Sequence, residues 1–534
     1  MLIVKYSLIQ SSIARSSSES FREDVSCTSD QSRSTTLIIL QWTRTPVHHS
    51  ILWFQFCLFI FVPVAGAGAL AQRSSGGRPC AISVQARDWL QTAHLYKFDL
   101  ALCLIFLTTL PATVQKPVHS LGGRDMDTLI HLLKGSLGSG ILAMPMAFLN
   151  AGLYFGLIAT FLIGGICTYC VHVLVKTAHE LCRRIQKPSL GFAETAEAAF
   201  LAGPPSVHKF SRAMVNWFLV VDLLGCCCVY IVFVAKNVKQ VVDYHAETHD
   251  WMPNWDVRVY MAILLPMLIL MNLIRNLKYL APFSMIANIL VATGMGITFY
   301  YLFQDLPPMS ERRPMVEVER LPIFFGTAIF ALEGIGVVMP LENNMKTPTH
   351  FIGCPGVLNT GMFFVVSLYA TVGFFGYWRY GDQTEGSITL NLPKDEVLGQ
   401  CVKLMIAVAI FLTYSLQFYV PMEIIWKNVC HFFGAKKNLA EYTIRITIIV
   451  MTVCIAIAIP NLGPFISLVG AVCLSFLGLI FPAVIETVTF WDRPNGLGRF
   501  NWVLWKNIFL VSFGILGFLT GSYVSIIEII NSNE

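Results

Sequence analysis

Charge is what this sequence has least of. Only 13% of its 534 residues are Asp, Glu, Lys or Arg, about half the share of an ordinary soluble domain. A soluble enzyme is thereby disfavoured from the outset. The net charge of +5 is too small to point to a nucleic-acid partner. No Asn-x-Ser/Thr acceptor for N-glycosylation occurs anywhere in the chain. The 15 cysteines lie mostly inside apolar runs, as in Cys226-Cys227-Cys228, where a Cys acts as a small hydrophobe. A zinc site is therefore not expected, and the loops expected to be external hold no evident cysteine pair for a structural disulfide. No Ser/His/Asp, metal or nucleotide constellation stands at usable spacing, so neither enzymatic activity nor a cofactor is expected.

What is present is apolar sequence: 55% of the residues are hydrophobic and the mean hydropathy is +0.63. Runs of about 20 apolar residues recur, long enough to cross a bilayer core of ~30 Å. The class is an all-α polytopic membrane protein embedded in lipid. From the first span onward the expected order is Thr128–Tyr154, Phe155–His179, Val215–Val238, Val259–Ile274, Tyr279–Phe303, Pro322–Leu341, Val357–Trp378, Val402–Ile425, Ile444–Ile459, Pro464–Val488 and Val503–Ile530. That gives about 11 spans.

Alternate loops differ in charge. One set carries Arg183, Arg184, Lys187, Arg275, Lys278, Lys427, Lys436, Lys437, Arg493 and Arg499; the other is mainly acidic, with Asp243, Asp250, Glu317, Asp382 and Asp395 among its residues. Basic loops stay cytoplasmic. The first span then starts in the cytoplasm and the C-terminus is external or lumenal. Residues 1–125 read as a separate extension. Met1–Ser50 has the composition of a disordered segment, while Ile51–Leu70 and Phe98–Val114 are apolar segments of uncertain topology. No function is assigned there, and 126–534 is taken as the working domain.

Inside the first span stands "GSLGSGILAMP", Gly135 to Pro145. Gly135, Gly138 and Gly140 weaken a helix, and Pro145 removes a donor. Such an interruption at membrane depth is tolerable only where the freed backbone faces protein or a water-filled cavity. The sixth span repeats the pattern: Gly334-Ile335-Gly336 followed by Met339-Pro340 matches Gly138-Ser139-Gly140 followed by Met144-Pro145. Interrupted helices at matching positions of two halves point to an inverted-repeat transporter with a midplane site. The N–H groups at a half-helix N-terminus suit a carboxylate, and unwound carbonyls of the partner suit an ammonium. Together they suit a zwitterion. The competing reading is that these glycines serve close helix packing.

Five stretches carry a resemblance to a known family: "TLIHLLKGSLGSGILAMP" (Thr128–Pro145), "CCVYIVFVAKNVKQV" (Cys227–Val241), "IFFGTAIFALEGIGVVMPLEN" (Ile323–Asn343), "GSITLNLP" (Gly386–Pro393) and "LTYSLQFYVPMEII" (Leu412–Ile425). Over about Asp127–Glu528 the chain closely resembles the proton-coupled amino acid transporters, solute carriers of the amino acid/auxin permease group. The resemblance implies a LeuT-like 5+5 inverted repeat with broken first and sixth spans, plus one further span. It also implies H⁺-driven symport of small neutral amino acids such as glycine, alanine and proline, at the plasma membrane or the late endosome and lysosome. His131 matches the family's coupling histidine. Vertebrate members have an external disulfide with one cysteine directly after "LNLP"; here Lys394 stands in that place.

The candidate substrate-binding residues are Gly135, Ser136, Gly138, Ser139, Gly140, Tyr230, Phe330, Glu333, Gly334 and Gly336. His131 and Glu333 are the candidates for proton coupling. An ionisable group in a span is functional by default, and an imidazole of ordinary pKa ~6.5 titrates between an acidic lumen and a neutral cytosol. Glu333 would equally support the loop. Glu342 reads as solvated, and Asp222 as a residue particular to this chain or facing the cavity. His172, Glu423 and Glu486 read as interfacial. Thr413 and Ser415 carry hydroxyls that could hold Na⁺, so the residues leave H⁺ and Na⁺ both open; the resemblance favours H⁺. A second function class uses the same pocket: an amino acid sensor that signals through cytoplasmic partners with little net flux.

Overall fold

Long apolar runs settle as helices because hydrocarbon leaves each backbone group only its own segment as a partner. The structure, a computed structural model, describes residues 125–531 except 137, 202–204, 250–254, 276, 333, 354–355, 435 and 494–495. The extension expected over 1–125, apart from Asp125, lies outside the described residues, and so does Glu333.

The first span is two helices, α1 (Asp125–Ser136) and α2 (Gly140–Leu149). Asp125 and Asp127 occupy the first turn of α1, where a negative charge meets the positive helix end. α3 (Leu153–Ile185) has 33 residues. At 1.5 Å per residue it is about 50 Å long, so it outruns the ~30 Å core. It ends on Arg183 and Arg184, with Gln186 left-handed beyond them. The short α4 (Phe192–Ala199) leads to α5 (Pro205–His249), which has 45 residues and extends past both ends of the expected third span. α6 (Val257–Asn272) and α7 (Leu277–Leu302) complete the first half.

The sixth span is again two helices, α8 (Leu321–Leu332) and α9 (Ile335–Asn343). α10 (Val357–Tyr380), α11 (Val397–Val429) and α12 (Lys437–Ala458) follow. α13 runs from Leu462 to Phe490 and is wound as a π-helix over Gly470–Ile480. α14 (Trp502–Asn531) closes the described chain. Among the described residues 9 helices are long and apolar enough to span, and the bent α1–α2 pair raises that to 10. The remaining expected span is α6, whose 16 residues cover about 24 Å.

The broken helices lie innermost. α2 packs on α8 and on α10, and α1 packs on α9 and α10. Each half of one broken span thus meets a half of the other, the arrangement that an inverted repeat produces. α8 rests on α13, and a methyl carbon at Gly470 would come 2.1 Å from the Gly326 carbonyl oxygen. Only glycine permits that approach.

Two acids differ from their expected settings. Glu486 is buried, and it accepts from Lys506 Nζ at 2.6 Å and from Asn507 Nδ2 at 3.0 Å. This pair ties α14, the span outside the repeat, to α13. Glu342 is buried as well, with its Oε1 2.6 Å from His179 Nε2 on α3. The apolar runs around these acids gave no sign of the partner that arrives from another helix.

Among the described residues, side-chain amides and a lysine fasten the loop between α10 and α11. Gln240 Nε2 donates to the Leu390 carbonyl at 3.0 Å, and Gln400 Nε2 donates to that of Lys394 at 2.7 Å. Buried Lys403 donates to the Leu392 carbonyl at 3.0 Å. The "LNLP" loop is thereby held by α5 and α11.

Removing one partner of a buried pair leaves the other charge uncompensated, at a cost of about 3–5 kcal/mol. Lys506→Met should therefore lower the melting temperature of the purified protein. Lys506→Met with Glu486→Leu should recover part of that loss. A single variant as stable as the wild type would show that the pair does not hold α14.

Candidate functional site

α1 stops at Ser136 and α2 starts at Gly140, with axes 55° apart. α8 stops at Leu332 and α9 starts at Ile335, and together they continue as one span without a bend of that size. Both interruptions thus fall where the paired Gly-x-Gly motifs stand. The two breaks also touch. A methyl carbon at Gly334 would lie 3.3 Å from Ser136 Oγ, and one at Gly135 would lie 3.3 Å from the Val337 side chain.

The glycines divide by environment. A methyl carbon at Gly140 would come 2.6 Å from the Ala331 Cα, so this glycine lets α2 and α8 meet backbone to backbone. Close packing is the right account of Gly140. At Gly138 nothing lies within 4 Å, and at Gly336 only Leu219 approaches, at 3.9 Å. Packing explains neither of these. Exposure follows the same division: α2 and α8 are almost wholly buried, whereas His131, Gly135, Gly138, Gly336 and Val337 are exposed. The breaks therefore open toward the α1 and α9 side.

The Ser136 carbonyl, freed at the first break, finds a partner on another helix. Tyr369 of α10, fully buried, donates its hydroxyl to the Ser136 carbonyl at 2.7 Å. The same carbonyl accepts the Gly138 N–H at 3.0 Å. The Tyr230 phenol of α5 lies near the Ser139 side chain. Two phenols thus flank the break. Sequence reasoning singled out Tyr230 and missed Tyr369. The available signal was general: a tyrosine inside an apolar span needs a partner for its hydroxyl.

Several other candidates are placed as follows. Ser136 Oγ is buried and has no hydrogen-bond partner among the described residues. Phe330 is buried, and its Cβ would be 2.9 Å from a methyl carbon at Gly470, so it forms part of the contact between α8 and α13. His131 is exposed on α1, with Asp127 and Lys134 about one turn away on either side. Thr413 Oγ1 donates to the Ala409 carbonyl of its own helix at 2.8 Å, the ordinary back-bond of a helical Thr. Ser415 Oγ is buried without a partner among the described residues. α11 packs chiefly on α5 and α7. Asp222 is buried on α5 with Oδ1 unpartnered among the described residues. Cys167 and Cys170, spaced as a CxxC pair, are buried on α3 and are not joined in a disulfide.

A family profile described as "Transmembrane amino acid transporter protein" matches residues 124–527. The chain is 46% identical over 411 residues to the "Proton-coupled amino acid transporter-like protein pathetic" of Drosophila melanogaster, covering 76% of this chain and 86% of that one. It is 26% identical over 440 residues to the "Probable amino acid transporter skat-1" of Caenorhabditis elegans, covering 79% and 94%. Among solved structures, a crystal structure of MhsT in complex with L-phenylalanine aligns at 12% identity with a TM-score of 0.44, over 74% of this chain and 98% of that one.

The contrast between the two glycines is testable. Gly140→Val drives a side chain into the Ala331 backbone and should destabilise the fold by about 1–3 kcal/mol or more, read as a lowered melting temperature or lost recovery. Gly138→Val should fold and be recovered like the wild type. Equal behaviour of the two variants would mean that α2 and α8 do not meet at Gly140.

Proposed function

The chain belongs to the transmembrane amino acid transporter family, and from that premise we propose that it is an H⁺-coupled symporter of small neutral amino acids, of the glycine, alanine and proline kind. The observation that carries this reading is the meeting of two interrupted helices at Ser136 and Gly334, with free space beside Gly138. An α-amino acid brings a carboxylate and an ammonium close together. The amides at the start of α2 suit the first. The carbonyls at the end of α8 suit the second, with Glu333 beside them in sequence. Space next to a glycine, bounded by two phenols, favours a short side chain.

Coupling is assigned to His131. Imidazole is the side chain whose unperturbed titration, near pH ~6.5, falls between an acidic compartment and the cytosol. His131 stands one turn before Gly135, so a change in its charge acts on the half-helix that leads to the break. The relative from Drosophila carries proton coupling in its name. The proposed setting is the plasma membrane or an endolysosomal membrane, with α1 starting in the cytoplasm and the C-terminus external or lumenal.

The test is uptake of a panel of labelled amino acids into proteoliposomes, with and without an inward H⁺ gradient. Alanine and glycine should accumulate only with the gradient. Binding without flux would mark a sensor instead, and uptake indifferent to the gradient would remove the coupling. His131→Ala should lose gradient-driven accumulation while keeping exchange of internal for external alanine; full accumulation by this variant would move coupling elsewhere. Gly138→Val should fold yet lose at least about tenfold in substrate affinity, equivalent to about 1.4 kcal/mol. Unchanged affinity would displace the site from the first break.

A further inference from the structure

Asp222 stands beside the second break. On α5 it shares a face with Leu219 and Gly225, three positions away on either side. A methyl carbon at Gly336, the second residue of α9, would lie 3.9 Å from Leu219 Cδ2. One at Gly225 would lie 3.0 Å from the Val469 side chain of α13. Gly470, the next residue there, meets Phe330 in the last turn of α8. Asp222 is thus bracketed. One turn of α5 before it is level with the start of α9, and one turn after it is joined through α13 to the end of α8. Between those levels α8 stops at Leu332 and α9 starts at Ile335. From this juxtaposition we propose that Asp222 is the acidic partner of the substrate ammonium at the second break.

The inference rests on the transporter reading and supplies a side chain for the ammonium half of its site. Asp222 is only 7% exposed, and its Oδ1 has no hydrogen-bond partner among the described residues. A buried carboxylate is stable when it is paired with a cation. The helices that bracket it bring none: α8, α9 and α13 contain no Lys, Arg or His, and α5 has none between Arg212 and Lys236. The last carbonyls of α8 also lack intrahelical partners. Acceptors therefore gather at this break, and the group that completes them is a cationic donor. An ammonium has three N–H donors, so it can meet Asp222 and the freed carbonyls together. The first break is close by, since a methyl carbon at Gly334 would lie 3.3 Å from Ser136 Oγ. One small α-amino acid can thus reach both. Gly336 and Val337 are exposed, so a ligand arriving along α9 reaches Asp222 past Leu219.

Alanine and lactate separate this role from simple support of the fold. Lactate keeps the carboxylate and the methyl of alanine and carries a hydroxyl in place of the ammonium. On the full-length purified protein, lactate should bind at least about tenfold more weakly than alanine, given the size of a hydrogen bond to a charged group. Asp222→Asn keeps the shape of the side chain and removes its charge. It should weaken alanine binding at least about tenfold and leave lactate binding unchanged, so that the two ligands converge. A folded D222N that binds alanine like the wild type overturns the proposal, as does an equal loss for both ligands. Should D222N not be recovered, Asp222→Ser gives the same comparison, and lactate that binds the wild type as tightly as alanine overturns the proposal by itself. Alanine binding that requires Na⁺ in the wild type and loses that requirement in D222N would assign Asp222 to a metal cation and overturn it too. Wild-type protein that binds none of the amino acid panel would defeat the transporter reading itself, a result distinct from wild-type binding with an indifferent D222N.

Discussion

A polypeptide interrupted inside hydrocarbon has no water to receive its freed N–H and C=O groups, so the protein itself must supply their partners. That single requirement organises this molecule. The interruptions between Ser136 and Gly140 and between Leu332 and Ile335 lie against each other at the centre. Tyr369 arrives from α10 to satisfy the Ser136 carbonyl at the first one. α10 in turn packs on α1, α2 and α3, which brings Tyr369 to the break. A methyl carbon at Gly373 or Gly376 would meet Phe148 or Pro145 of α2 at 2.4 Å, so small residues keep α10 close enough for the phenol to reach.

The four half-helices are not equivalent. α2 and α8 form a buried pair, joined at Gly140 and Ala331 and backed by α13. α1 and α9 carry the exposed faces. Their far ends are held by polar contacts: Asp125 with His350 at 2.9 Å, and Glu342 with His179 at 2.6 Å. Dense apolar packing resists gradual deformation, while a few polar contacts at a helix end can open and close. A transporter that alternates access needs one fixed side and one releasable side, and the chain distributes its packing in that way. The junction between the two is where the interrupted main chain of both spans comes together.

Much of this was legible in the residues. The repeated Gly-x-Gly with a following Met-Pro marked both interruptions, because glycine and proline disturb a helix wherever it lies. The mixture of roles within one motif was not legible. Gly138 and Gly140 are two positions apart, yet one faces free space and the other presses on the Ala331 backbone. The acids show the same limit. Glu342 and Glu486 sit at the ends of apolar runs, where interfacial solvation is the natural expectation, but His179 and Lys506 come from other helices to meet them. Thr413 and Ser415 were indistinguishable as hydroxyls until one was found bonded to its own helix and the other buried without a partner among the described residues.

The sequence by itself determined the solvent this chain is built for, the helical response to that solvent, and the two depths at which the helices fail. Those properties are local: they follow from how many apolar residues run together and from where glycine and proline interrupt them. Only the tertiary structure decided which freed backbone group meets which partner. Tyr369 lies 233 positions from Ser136 along the chain, and no period or motif encodes that meeting. It follows from helices packing at a given rotation, which is settled by the fit of whole surfaces.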